Sequence, residues 1–98
     1  MSKTYQIVIY NSISDEKKLQ NYAKLSGPAV KKAGGKFLAR GLPLVIKEYG
    51  KKTRTVLIEW NSLQDAMNCY NGLDYQKALE ELDNSAEREF RYLEGINE

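Results

Sequence analysis

A chain of 98 residues has room for one domain and one core. Its composition, 42% hydrophobic and 29% charged with a net charge of +2, excludes intrinsic disorder and lacks the basic excess of a dedicated nucleic-acid binder. A domain this small buries only roughly 60–65% of the surface its unfolded chain exposes, so a partner subunit would add to a thin stability margin.

The sequence contains no histidine. That removes Ser-His and Cys-His nucleophile pairs, a histidine haem ligand and histidine-bearing zinc sites. Acid–base chemistry would fall to carboxylates, tyrosines, lysines or arginine-assisted water; neither a metal nor a cofactor is expected. Cys69 is the only cysteine, so no internal disulfide can form, and a reducing, cytoplasmic setting is expected. No apolar run approaches the ~20 residues of a membrane span, and the first residues lead into a strand pattern and not a signal peptide.

Residues 5–10 (Tyr-Gln-Ile-Val-Ile-Tyr) are β-branched and apolar on both faces, which predicts a strand inside a sheet. Turn residues follow, with Ser14 or Asp15 as helix cap. Leu19, Tyr22, Ala23, Ser26, Ala29, Val30 and Ala33 then recur at helical spacing. The stripe stays in register across Gly27-Pro28, which predicts one helix kinked by proline, closed at Gly34 by a left-handed cap. Residues 36–40 form the second strand, with Phe37 and Ala39 expected on one face and Leu38 and Arg40 on the other. Gly41 and Pro43 interrupt it, which predicts a bulge at Gly41 and an extended run over Leu44, Val45 and Ile46. A hairpin turn at residues 49–52, its stem made basic by Lys47 and Arg54, leads into a strand over 53–60. There Val56, Ile58 and Trp60 share one face, and Thr55, Leu57 and Glu59 the other.

Ser62 caps a helix in which Ala66, Met67 and Tyr70 point inward until Gly72 ends it. Asp74 is the expected cap of the next helix, with Tyr75, Ala78, Leu79, Leu82 and Ala86 as its stripe. A last strand occupies residues 90–93. Strand, helix, strand, strand, helix pair, strand is the α+β ferredoxin-like order, an antiparallel sheet with helices on one face. The uncovered face is too apolar for water alone, which predicts a homodimer closed into a dimeric α+β barrel.

Several of these residues resemble a known family. Tyr22, Pro28, Gly34-Gly35 and Phe37-Leu-Ala-Arg40-Gly41, then Arg54-Thr-Val-Leu-Ile-Glu59-Trp60-Asn-Ser62, Ala66, Tyr70, Tyr75-Gln76 and Leu93-Glu94-Gly95, are similar to the bacterial domain of unknown function 1330. The resemblance spans almost the whole chain and implies a dimeric α+β barrel, the superfamily that also holds cofactor-independent monooxygenases, muconolactone isomerases and chlorite-dismutase-like haem proteins. It supplies no function. Two positions depart from the pattern: Leu82, where members often carry arginine, and Gln6, where an aromatic is common. The haem and metal branches of the superfamily rely on histidine, which this chain lacks.

Arg40 and Glu59 are the first candidates for a site, on neighbouring strands and both expected on the face away from the helices. An arginine beside a carboxylate would bind an anionic, enolic or carbonyl ligand, with Glu59 as base or orienter; the competing reading is an ion pair within a dimer interface. Tyr10, Tyr70 and Tyr75 would line the pocket mouth, against a plain packing role. Tyr22 and Trp60 read as core, and Cys69, without an activating base, as a small buried hydrophobe. Gly34-Gly35 closes a helix and does not open one, which excludes a phosphate loop. The central strand lacks the stacked aromatics of RNA-recognition domains. Two functions are therefore weighed: a small-molecule-binding homodimer, and a non-catalytic dimerisation or ligand-sensing module.

Overall fold

Strand β1 (Thr4–Ile13) alternates residues that face a core with residues that face away, in a computed structural model that describes residues 2–97. Thr4, Gln6, Val8 and Tyr10 are buried, while Tyr5, Ile7 and Ile9 lie half-buried on the opposite face. Helix α1 (Glu16–Lys32) follows, and of its two candidate caps Asp15 serves: its Oδ1 accepts from the Lys18 amide at 3.1 Å. The helix runs unbroken through Pro28, because the buried stripe Leu19, Tyr22, Ser26, Ala29 and Val30 continues on both sides of it. Gly34, at φ 101°, turns the chain, and the Gly35 amide donates back to the Val30 carbonyl at 2.9 Å.

Strands β2 (Lys36–Gly41) and β3 (Thr55–Trp60), helices α2 (Leu63–Asn71) and α3 (Leu73–Leu82), and strand β4 (Ala86–Glu94) complete the chain. The sheet order is β2-β3-β1-β4 with all pairings antiparallel, and this is the ferredoxin-like α+β arrangement. Trp60, 1% exposed, is the largest fully buried side chain, and its indole N–H donates to Gln6 Oε1 at 2.9 Å. The indole is thereby satisfied inside the core.

Five local expectations are corrected. The bulge lies at Leu38 and not at Gly41, since the β2–β3 register slips between Phe37 and Ala39. Leu44, Val45 and Ile46 form no strand, and residues 49–52 do not close a paired hairpin; residues 44–52 are exposed loop, Leu44 97% and Tyr49 fully. Apolar character there does not amount to a partner strand. Helix α3 starts at Gly72 without a side-chain cap, leaving Asp74 in its first turn, where the helix dipole favours a carboxylate. Ala86 belongs to β4 and not to a helix stripe, so the last strand starts four residues earlier than its apolar core suggests.

The open face of the sheet presents Tyr5, Ile7 and Ile9 of β1, Leu57 of β3 and Leu93 of β4, and the molecule is only 15 Å thick along its shortest axis. Among the described residues no helix is long and apolar enough to cross a membrane.

Gly35 sets how closely the helix end approaches the sheet. A methyl group there would sit 2.6 Å from Val30 Cγ1 and 2.9 Å from Trp60 Cη2. Gly35→Ala is expected to destabilise the fold by roughly 1–3 kcal/mol through overpacking. In thermal denaturation that is a fall in Tm of about 4 °C or more.

Candidate functional site

Three strands place a row of cationic and aromatic side chains on the helix-facing side of the sheet. Arg88 of β4 pairs with Tyr10 of β1, and the Tyr10 amide donates to the carbonyl of Arg54 at 2.9 Å. The row therefore reads Arg88, Tyr10, Arg54 across the sheet, with both guanidinium carbons over the Tyr10 ring, at 5.5 and 5.7 Å. Phe90, Val8, Val56 and Arg40 form the next row.

Arg40 reaches this face because of the bulge. Without it, Phe37 and Arg40 would lie on opposite faces; the extra residue at Leu38 brings Phe37 level with Ile58 and Arg40 level with Val56. The Arg40 guanidinium stacks 5.0 Å from the Phe37 ring. Glu59 keeps the strict alternation of β3 and points to the open face, where it accepts a 3.2 Å hydrogen bond from the Tyr5 hydroxyl. The expected Arg40–Glu59 pair is thus divided by the sheet, and Glu59 cannot act as base beside Arg40.

Between this sheet face and the helices lies a cavity of about 60 Å³. By volume it admits several water-sized groups. Arg40, Arg54 and Arg88 line it together with Tyr10, Tyr22, Tyr70 and Tyr75, over an apolar floor of Val8, Val56, Ile58 and Trp60. Among the described residues no aspartate or glutamate lines it. Among the described residues the ion pairs lie elsewhere, at Lys18–Asp83, Lys32–Asp74 and Arg91–Glu89.

Arg88 is held by phenols instead. It donates to the Tyr22 hydroxyl at 2.9 Å, and Tyr22 shares a 2.6 Å hydrogen bond with the hydroxyl of Tyr75. Its guanidinium also lies 4.8 Å from the Tyr22 ring and 4.7 Å from the Phe90 ring. Burial works against the charge on Arg88, but the surrounding tyrosines outweigh it and hold the guanidinium protonated. The Arg54 Nε hydrogen is buried without a partner. Burial pushes the Tyr75 phenol well above its ordinary range, and the Tyr92 phenol up to about 12, so both remain hydroxyl donors at neutral pH.

Of the residues expected from sequence, Arg40, Tyr10, Tyr70 and Tyr75 meet at this cavity and Glu59 does not. Arg88, Arg54 and Tyr22 were not expected there. The signal for Arg88 was the period-two run Ala86, Arg88, Phe90, Tyr92, visible only if the strand is started at Ala86. Cys69 is buried, its thiol pushed up by desolvation and its Sγ directed at the Ala29 carbonyl at 3.8 Å, an inert environment. Among the described residues no histidine, cysteine or carboxylate cluster suited to a metal is found.

Fold and site together define a ferredoxin-like α+β domain with a cationic interior cavity. Residues 3–96 match the domain of unknown function DUF1330, and the chain belongs to that family. No curated protein matches it. Among solved structures it is similar to a protein of unknown function from Rhodopseudomonas palustris, at 14% identity and TM-score 0.75, covering 99% of this chain and 85% of that one. A dimeric ferredoxin-like protein of unknown function from Thermobifida fusca aligns at 16% identity and TM-score 0.65, over 95% and 91% of the two chains. A mutant of SnoaB, a cofactor-independent oxygenase from Streptomyces nogalater, aligns at 7% identity and TM-score 0.65, over 95% and 92%. At such identities these likenesses establish the fold and carry no activity.

The buried phenols dictate an alkaline limit. A folded-state pKa raised above the unfolded value of about 10 contributes stability that is present below pH ~10 and lost as pH rises through the folded pKa. Ultraviolet titration is expected to show one tyrosine ionising near pH 12 and at least one only with unfolding. Tyr92→Phe removes the step near pH 12.

Proposed function

We propose that this protein is a homodimer that binds a small anionic ligand, a carboxylate or an enolate, in the cavity between sheet and helices. The observation that carries the reading is the set Arg40, Arg54 and Arg88 converging on a cavity with no carboxylate in its lining. Uncompensated guanidinium groups in a partly desolvated site are costly, and an anion of matching size relieves that cost while gaining charge-assisted hydrogen bonds. Tyrosine hydroxyls add neutral donors, and the apolar floor favours a ligand with an unsaturated or aromatic body. What chemistry follows binding, if any, would rest on stabilising negative charge on the ligand, since the cavity wall offers no carboxylate base.

Dimerisation through the open sheet face supports the same reading. Tyr5, Ile7, Ile9, Leu57 and Leu93 form one apolar patch on a molecule 15 Å thick, and a second copy laid against it would bury the patch and enclose an α+β barrel. The dimeric state described for the Thermobifida fusca protein points the same way. Glu59, on this face with Tyr5, then belongs to the subunit interface.

Thermal-shift measurements test the ligand. Benzoate is expected to raise Tm, since a ligand at 100 times its Kd stabilises by about 2.7 kcal/mol. Arg40→Ala, which removes an exposed side chain that bears on no core contact beyond Phe37, is expected to weaken binding about tenfold or more. An equal response of wild type and variant defeats the assignment. Light scattering at micromolar concentration is expected to give a dimer, and Ile7→Lys a monomer; a monomeric wild type would refute the assembly.

A further inference from the structure

Hydrogen-bond arithmetic at the buried phenols narrows the ligand, on the premise that the cavity binds anions as proposed above. Tyr22 and Tyr75 each carry one hydroxyl hydrogen, and Arg88 supplies the N–H that enters their chain. If Tyr22 donates to Tyr75, the Tyr75 hydrogen has no acceptor among the described residues; if Tyr75 donates to Tyr22, the Tyr22 hydrogen has none. Both tyrosines line the cavity, so in either arrangement one phenolic hydrogen is left for a cavity occupant. It comes from a hydroxyl in a chain that begins at a guanidinium, and such chains polarise one another and strengthen the terminal donor.

Arg88 commits one N–H of its Nη1 to Tyr22, and the rings of Tyr10, Tyr22 and Phe90 lie within 5.5 Å of its guanidinium carbon. What the site offers is a single strong O–H donor beside positive charge, with the apolar residues Val8, Val56, Ile58 and Trp60 beyond it. One oxygen bearing delocalised negative charge, attached directly to a flat apolar ring, meets both requirements. We infer that the cavity is a binding site for the ionised form of a phenol or cyclic enol, held at its oxyanion by the Arg88–Tyr22–Tyr75 chain and preferred over the neutral form.

Para-nitrophenol and para-nitrobenzoate form the test pair, because they share a body and the phenol changes colour on ionisation. Titrated with the intact protein, bound para-nitrophenol is expected to ionise at least one pH unit lower than the free dye, the spectroscopic mark of a roughly tenfold preference for the anion. In the double variant Tyr22→Phe, Tyr75→Phe the ionisation shift falls to less than half a unit. Tyr75→Phe alone, which leaves the Tyr22 hydrogen free beside Arg88, retains part of the shift and keeps the test decisive should the double variant not fold. An unshifted dye, or a shift that the double variant keeps in full, overturns the inference, and para-nitrobenzoate that still binds then leaves an anion site in place. Failure of both compounds to bind overturns the inference and the anion site together.

Discussion

Arg88 sits inside the layer between sheet and helices without a carboxylate partner, and the surrounding structure is built to keep it there. An unpaired guanidinium in such a place would cost several kcal/mol, and the fold offsets that with aromatic faces and a phenol in place of an acid. The Tyr22 hydroxyl that receives its N–H comes from α1, and the Tyr75 hydroxyl behind it comes from α3. One side chain of β4 thus ties both helices to the sheet. An aspartate in place of these phenols would have neutralised the charge and closed the site to anions; tyrosine satisfies the donor while leaving the charge uncompensated. Stability and binding capacity therefore draw on the same contacts.

A second constraint is the single extra residue in β2. Side-chain direction in a strand has a period of two, so one inserted residue exchanges faces for everything beyond it. Leu38 is that residue, and the exchange carries Arg40 from the open face to the cavity. Glu59, on the unbulged strand beside it, stays on the open face with Tyr5. Two residues adjacent in the sheet are thereby assigned to different tasks, one to the interior cavity and the other to the surface that a second subunit would cover. The family resemblance held over residues 3–96 and the fold is shared with solved proteins of low identity, yet none of that distinguishes these two roles. Only the register does.

The large outlines were legible in the chain because they rest on local periodicity. β1, the stripe of α1 through Pro28, the left-handed turn at Gly34, the Ser62 cap and the alternation Val56, Ile58, Trp60 each follow from residues within a few positions of one another. Element order then left few ways to assemble them, and the ferredoxin-like sheet is one. Four of the candidate site residues, Arg40, Tyr10, Tyr70 and Tyr75, also meet as a group at the cavity, although for Arg40 the expected face was the opposite one.

What the sequence could not decide depends on contacts between distant segments. A bulge at Leu38 costs β2 little by itself and is chosen by how β2 docks on β3, so no local signal separated it from one at Gly41. Arg88 lay outside the strand expected over 90–93; its role comes from Tyr22 and Arg54, 66 and 34 positions away, which the sheet register and the helix crossing bring to one cavity. Apolar residues at 44–46 satisfy every composition rule for a strand and still form a loop, pairing with neither outer strand of the sheet, β2 or β4. The elements were determined by neighbours along the chain, and the cationic cavity by neighbours across it, since charge compensation and side-chain facing are properties of the packed arrangement.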